Sequence, residues 1–85
     1  MRFAARVEVR LRPGIADPEG ATIERALPAL GFEDVSALAT GRVFRFEVEA
    51  ATEARARERA EALAGALLAN PVLEEASVSV CSLEA

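Results

Sequence analysis

Pro13-Gly14-Ile15-Ala16-Asp17-Pro18-Glu19-Gly20-Ala21-Thr22-Ile23-Glu24-Arg25-Ala26-Leu27-Pro28-Ala29-Leu30-Gly31-Phe32 is the stretch around which the chain is organised. It turns sharply, starts a helix and stops it again. The short carboxylate of Asp17 can accept hydrogen bonds from the unpaired first-turn N–H groups, as an N-cap does. Pro18 then occupies the first helical position, where its missing N–H costs nothing. Glu19 places negative charge at the positive end of the helix dipole. Ile23, Ala26, Leu27 and Leu30 follow at i, i+3, i+4 and i+7, the apolar stripe of a helix. Gly31 stands where a left-handed closing residue is wanted, and Phe32 can fold back towards Leu27.

Upstream, Phe3, Ala5, Val7, Val9 and Leu11 alternate with Ala4, Arg6, Glu8, Arg10 and Arg12. A period of two is a half-buried strand, and Pro13-Gly14 ends it. Pro28 removes the hydrogen bond to the Glu24 carbonyl, so the helix, running from about Pro18 to Leu30, is expected to kink on its solvent side without breaking.

Downstream, Val35 to Ala39 is expected as a short second strand, joined by a Thr40-Gly41 hairpin turn to a third. That third strand, Arg42 to Glu49, buries Phe44, Phe46 and Val48. The second helix opens after Thr52, with Ala56, Ala60, Leu63, Ala64, Leu67 and, at its margin, Leu68 on the apolar side. Glu53–Arg57 and Arg57–Glu61 are spaced for surface ion pairs, contributing a few tenths of a kcal/mol each. Asn70 is expected in the left-handed closing position, and Pro71 prevents continuation. A last strand, about Leu73 to Leu83, sets Ala76, Val78 and Val80 on one side and Ser77, Ser79 and Cys81 on the other.

The order β-α-β-β-α-β over residues 1–85 predicts a single α+β domain of ferredoxin-like kind: an antiparallel sheet with two helices on one face. The first and third strands are central neighbours. The open face then shows Arg6, Glu8, Arg10, Arg45, Glu47 and Glu49, a mixed-charge surface suited to solvent or to a polar protein interface.

Composition narrows the function. A chain of 85 residues buries only about 60–65% of its unfolded surface, so association would help its stability. No apolar run approaches the roughly 20 residues that cross a bilayer. The charged N-terminal alternation is no signal peptide. The single cysteine, Cys81, rules out an internal disulfide framework, and a reducing cytoplasm is expected. The net charge of −4 argues against nucleic acid and anionic membrane as partners. Every basic residue is arginine.

With no histidine, His-based acid–base chemistry, Ser-His and Cys-His pairs and the commonest metal ligand are all missing. Cys81 has no cationic neighbour in sequence to lower its pKa. Asp17 is explained as a cap, and Glu74 and Glu75, adjacent on a strand, point to opposite faces. An anion site at Arg12-Pro13-Gly14 of the acylphosphatase kind would need an asparagine on the central hairpin, and the only one is Asn70. RNA recognition would need aromatic residues on the open face, whereas Phe3, Phe44 and Phe46 share the aliphatic phase. No catalytic residue, cofactor site or metal site is expected.

Two motifs carry a resemblance. Gly14-Ile15-Ala16-Asp17-Pro18-Glu19-Gly20, followed by the short helix and Leu30-Gly31-Phe32, closely resembles the first half of the PurS family, whose pattern is G-x-x-D-P-x-G, a short helix and L-G-F/Y. Leu67-Leu68-Ala69-Asn70-Pro71-Val72-Leu73-Glu74 is similar to the family's L-L-A-N-P-V-I/L-E before its final strand. Val43 to Glu49 matches the strand between them. Pro28 departs from the helix formers expected at its position.

PurS is the small subunit of bacterial and archaeal phosphoribosylformylglycinamidine synthase. The resemblance implies a non-catalytic, dimeric subunit that bridges a glutaminase (PurQ) and an ATP-dependent synthetase (PurL) and assists ammonia transfer. ATP and Mg would belong to the large subunit. Candidate interface residues are the loop with Gly14, Asp17, Pro18 and Gly20, the charged sheet face with Arg6, Arg10, Arg45 and Glu47, and the Asn70-Pro71 corner. The alternative is a ferredoxin-like regulatory domain that binds a small molecule at the Gly14 loop.

Overall fold

The computed structural model describes residues 1–83. The alternating first segment is strand β1 (Arg2–Leu11), and it lies at the centre of a three-stranded antiparallel sheet. β2 (Gly41–Glu49) pairs with one edge of β1 and β3 (Glu74–Ser82) with the other. Register aligns the apolar phases. Val7 stands opposite Phe44 and Val78, and Ala5 opposite Phe46 and Val80. Phe3, Ala5, Val7 and Val9 are consequently buried.

One helix closes that face. In α2 (Glu53–Leu63) the Thr52 hydroxyl accepts the Arg55 N–H at 3.1 Å, the expected cap. Ala56, Ala60 and the following Ala64 are all buried, their small side chains letting the helix approach closely. α2 lies mainly over β3 and β1. Arg57 donates to the Val78 carbonyl at 2.8 Å, which draws it away from the expected pairing with Glu53 and Glu61. The helix-surface pair that forms is Arg55–Glu58, at 2.8 Å.

After Leu63 the helix widens into a π turn, Ala64–Leu68, closed by a bond from the Ala69 N–H to the Ala64 carbonyl at 2.9 Å. The extra residue in the turn shifts the facing of the side chains around it. Leu67, expected on the apolar side, is therefore 76% exposed, while Leu68 packs against the core. Asn70 does not take the left-handed conformation: among the described non-glycine residues, Ala37 is the one with positive φ. The Asn70 side-chain oxygen instead accepts the Val72 N–H at 3.0 Å, tightening the corner before β3.

The first helix departs further from expectation. α1 spans Pro18–Ala26, and Pro28–Leu30 forms a separate 3-10 turn. Pro28 has no N–H to give the Glu24 carbonyl, which accepts the Leu27 N–H at 3.2 Å, so the hydrogen-bond pattern tightens where only a kink was expected. Gly31 closes the turn at φ 91°, as anticipated, and the Phe32 N–H bonds back to the Leu27 carbonyl at 3.0 Å, while the Phe32 side chain is half exposed.

The expected strand at Val35 to Ala39 does not form, and Thr40-Gly41 is accordingly no hairpin turn. Ala37 adopts φ 56°, which breaks an extended run. The backbone donors that a sheet would have paired are taken by carboxylates. Leu38 N–H donates to Glu24 at 2.7 Å and Thr40 N–H to Asp17 at 2.7 Å. The ferredoxin-like arrangement of antiparallel sheet and two helices stands, built on three strands where four were expected. Residues 17–40 form an arm whose helix α1 and 3-10 turn make few contacts with the sheet.

Candidate functional site

The arm is fastened at its root by one carboxylate. Asp17 accepts from the Gly20 N–H at 3.0 Å, the Thr40 N–H at 2.7 Å and the Thr40 hydroxyl at 2.9 Å. Four acceptor lone pairs on two oxygens make such multiple bonding possible. These bonds, that from the Thr40 backbone first, hold the Asp17 carboxyl below its ordinary pKa. Gly20 is buried against this clasp, and a Cβ there would stand 2.6 Å from Asp17 Oδ2 and 3.1 Å from the Leu38 carbonyl oxygen. Glycine at that position is thus a requirement of the clasp. Two turns along α1, Glu24 adds the second rung through Leu38.

The other predicted residues fall into two groups. Gly14 lies in the turn between β1 and the arm, at the same end of the sheet as the Asn70-Pro71 corner. Arg12 joins the two, donating from Nη2 and Nε to the Pro71 carbonyl at 2.9 and 3.1 Å. Its guanidinium also approaches Glu75 at 3.8 Å, so it is committed to structure and not held out for an anion. Glu74 is tied to Arg42 at 3.0 Å and accepts the Asn70 N–H at 2.8 Å.

Arg6, Arg10, Arg45 and Glu47 share the open sheet face, as expected. Arg10 bonds the Ser77 hydroxyl at 2.7 Å and pairs with Glu75 at 3.3 Å, and Glu47 pairs with Arg2. Arg6 and Arg45 stand directly opposite each other. Arg6 has Glu8 at 3.6 Å, whereas Arg45 has no ion pair among the described residues. Between them lies an open depression of about 480 Å³ over Ala4, Ser79 and Cys81. Exposed pairs of this kind contribute little to stability; their effect is to shape the surface.

Sequence reasoning found Asp17, Pro18 and Gly20 but missed Glu24, Thr40, Arg12 and Arg42. The signal for Glu24 was its place seven residues after Asp17, two turns along the same flank. Apolar side chains are exposed along the arm: Ile23 42%, Leu30 69% and Phe32 51%. Among the described residues no three potential metal ligands converge, and no helix is long and apolar enough to cross a membrane.

A sheet closed by one helix, with a clasped arm holding out apolar side chains, defines a protein-association module. Comparison with known proteins makes this specific. The family model PurS, described as phosphoribosylformylglycinamidine (FGAM) synthase, matches residues 4–82. The PurS subunit of phosphoribosylformylglycinamidine synthase from Methanocaldococcus jannaschii is 35% identical over 82 residues, which cover 96% of this chain and 99% of that one. Thermus thermophilus PurS superposes with a TM-score of 0.86 at 36% identity, over 98% and 99% of the two chains. A chain in the structure of PurLQS from Thermotoga maritima gives 0.87 at 34%, over 95% and 99%. The chain belongs to the PurS family of FGAM synthase subunits.

Proposed function

We propose that this protein is the non-catalytic assembly subunit of a three-part FGAM synthase. It acts as a homodimer that joins the glutaminase and the ATP-dependent synthetase and assists passage of ammonia between them. The observation that carries this is family membership over nearly the whole chain, including likeness to a chain of the Thermotoga maritima PurLQS structure. The molecule is consistent with it, since many of its charged side chains are engaged in ion pairs and caps while its arm offers apolar contact area. Cytoplasm is the compartment in this reading, ATP and Mg belong to the large subunit, and nucleic acid and membrane are not partners.

The test is synthase activity of the matching glutaminase and large subunits, with glutamine or ammonium as nitrogen source, with and without this chain. Restoration of the glutamine-dependent reaction alone is the expected result. No change in either reaction would overturn the proposal.

A further inference from the structure

Among the described residues, every carboxylate on the open face of the sheet is already engaged by a cation. Glu47 holds Arg2, Glu49 holds the terminal amine at 2.9 Å, and Glu75 serves both Arg10 and Arg12. Glu8 is divided between Arg6 and Arg10, at 3.6 Å from each. Arg45 is left over. It stands directly opposite Arg6, and like charges repel at the roughly 5 Å that separates the Cβ atoms of such a pair. On the other side of Arg6 is Ser79. The Ser79 hydroxyl, like the Arg45 guanidinium, has no side-chain partner among the described residues.

Arg45, Arg6 and Ser79 therefore make one row of donors across all three strands, which lie about 4.8 Å apart. In the next row Ala4 stands between Glu47 and Cys81. Its methyl group is short where its neighbours are long, which leaves the depression of about 480 Å³ beside the donors. Small-molecule sites run from roughly 300 to 1,000 Å³. The chain as a whole carries a formal charge of −4, yet this row is positive.

Guanidinium forks match the oxygens of phosphates and carboxylates. A phosphate monoester brings three terminal oxygens and a charge of about −1.5 to −2 at neutral pH, which suits two cations and a hydroxyl; a carboxylate brings two oxygens and one charge. We propose that the row binds the phosphate of a small phosphate monoester whose body lies over Ala4 in the depression. Arg45 and Arg6 grip the phosphate oxygens, Ser79 donates to a third, and the bound dianion removes the repulsion between the two arginines. Arg6 gives up Glu8, which keeps Arg10. Glu47 borders the depression as well, and its pairing with Arg2 limits its repulsion of the ligand.

Cys81 makes the site observable, being exposed, beside the depression and the one cysteine of the chain. Its alkylation by neutral iodoacetamide is followed in the native chain with phenyl phosphate, benzoate or phenol present. Phenyl phosphate should slow the reaction several-fold and saturably, less so as salt rises; phenol should not. Arg45→Gln should raise the concentration needed for protection about 10-fold or more, and Ser79→Ala should raise it less. Both positions are exposed. Without ligand, Arg45→Gln should leave the urea midpoint unchanged or higher, because it relieves repulsion. Phenyl phosphate should raise that midpoint in the wild type only. Protection that persists in Arg45→Gln overturns the proposal, as does benzoate that protects as well as the phosphate ester. So does a reactive Cys81 that millimolar phenyl phosphate fails to protect. A Cys81 that does not react in the native chain shows this face to be covered, and overturns it too.

Discussion

The two halves of this molecule are held together by different physics. In the sheet and α2, apolar side chains in register exclude water, and Phe3, Val7, Val9, Ala56 and Ala60 are almost wholly buried. In the arm, from Asp17 to Thr40, the fixed points are carboxylates bonded to backbone N–H groups, and the large apolar residues face outward. A core specifies its own partners. A clasp specifies only a shape, and leaves open which surface the shape will meet. The contrast teaches that 52% apolar content does not measure how much of a small chain closes upon itself.

Substitutions should fall unequally on the two halves. Phe3→Ala, at the 2% exposed end of the core, should cost about 3–5 kcal/mol in urea unfolding. Ala60→Leu should cost about 1–3 kcal/mol, because the close approach of α2 to β1 has no room for the larger side chain. Thr52→Ala removes the α2 cap and should cost about 1 kcal/mol. By contrast Leu30→Ala, at a position 69% exposed, should leave stability within about 0.5 kcal/mol.

Two further changes act on the clasp alone. Gly20→Ala should accelerate amide exchange at Leu38 and Thr40 while leaving exchange in β1 unchanged; equal acceleration in both would erase the distinction between the halves. Acid should likewise lower the protection of the Thr40 amide, measured against the intrinsic exchange rate at each pH. The Asp17 carboxyl titrates below its ordinary value of 3.8 when clasped, so the open arm takes up the proton first. The clasp's contribution is full above about pH 4 and is lost as pH falls through the lowered value. Exchange at Thr40 followed down to pH 2.5 checks the sign.

Much of this was legible in the chain, and the legible part is local. Asp17 and Thr52 cap the helices they precede, Gly31 closes the first, and strict alternation sets the facing of all three strands. Those features depend on neighbours a few residues away. Val35 to Ala39 was misjudged because a short apolar run before a Thr-Gly pair suits a strand, even one of ambiguous facing, whether or not a neighbouring edge exists, and here Glu24 and Asp17 take the donors that an edge would have used. Leu67 was misplaced by a single added residue in the π turn, which no periodicity reveals. The predicted interface residues were scattered for a similar reason: charge on a strand shows which side a residue occupies, while the arm's exposure emerges only when the whole fold is seen.

The bond between Asp17 and Thr40 has a consequence for how the chain could be rebuilt. It brings the start and finish of the arm together, so that residues 18–39 form a self-contained excursion whose two feet share one carboxylate. A few glycine and serine residues could reconnect those feet without disturbing β1, β2 or their register. The shortened chain would be a three-stranded sheet with a single helix, its two feet still joined by the carboxylate of Asp17.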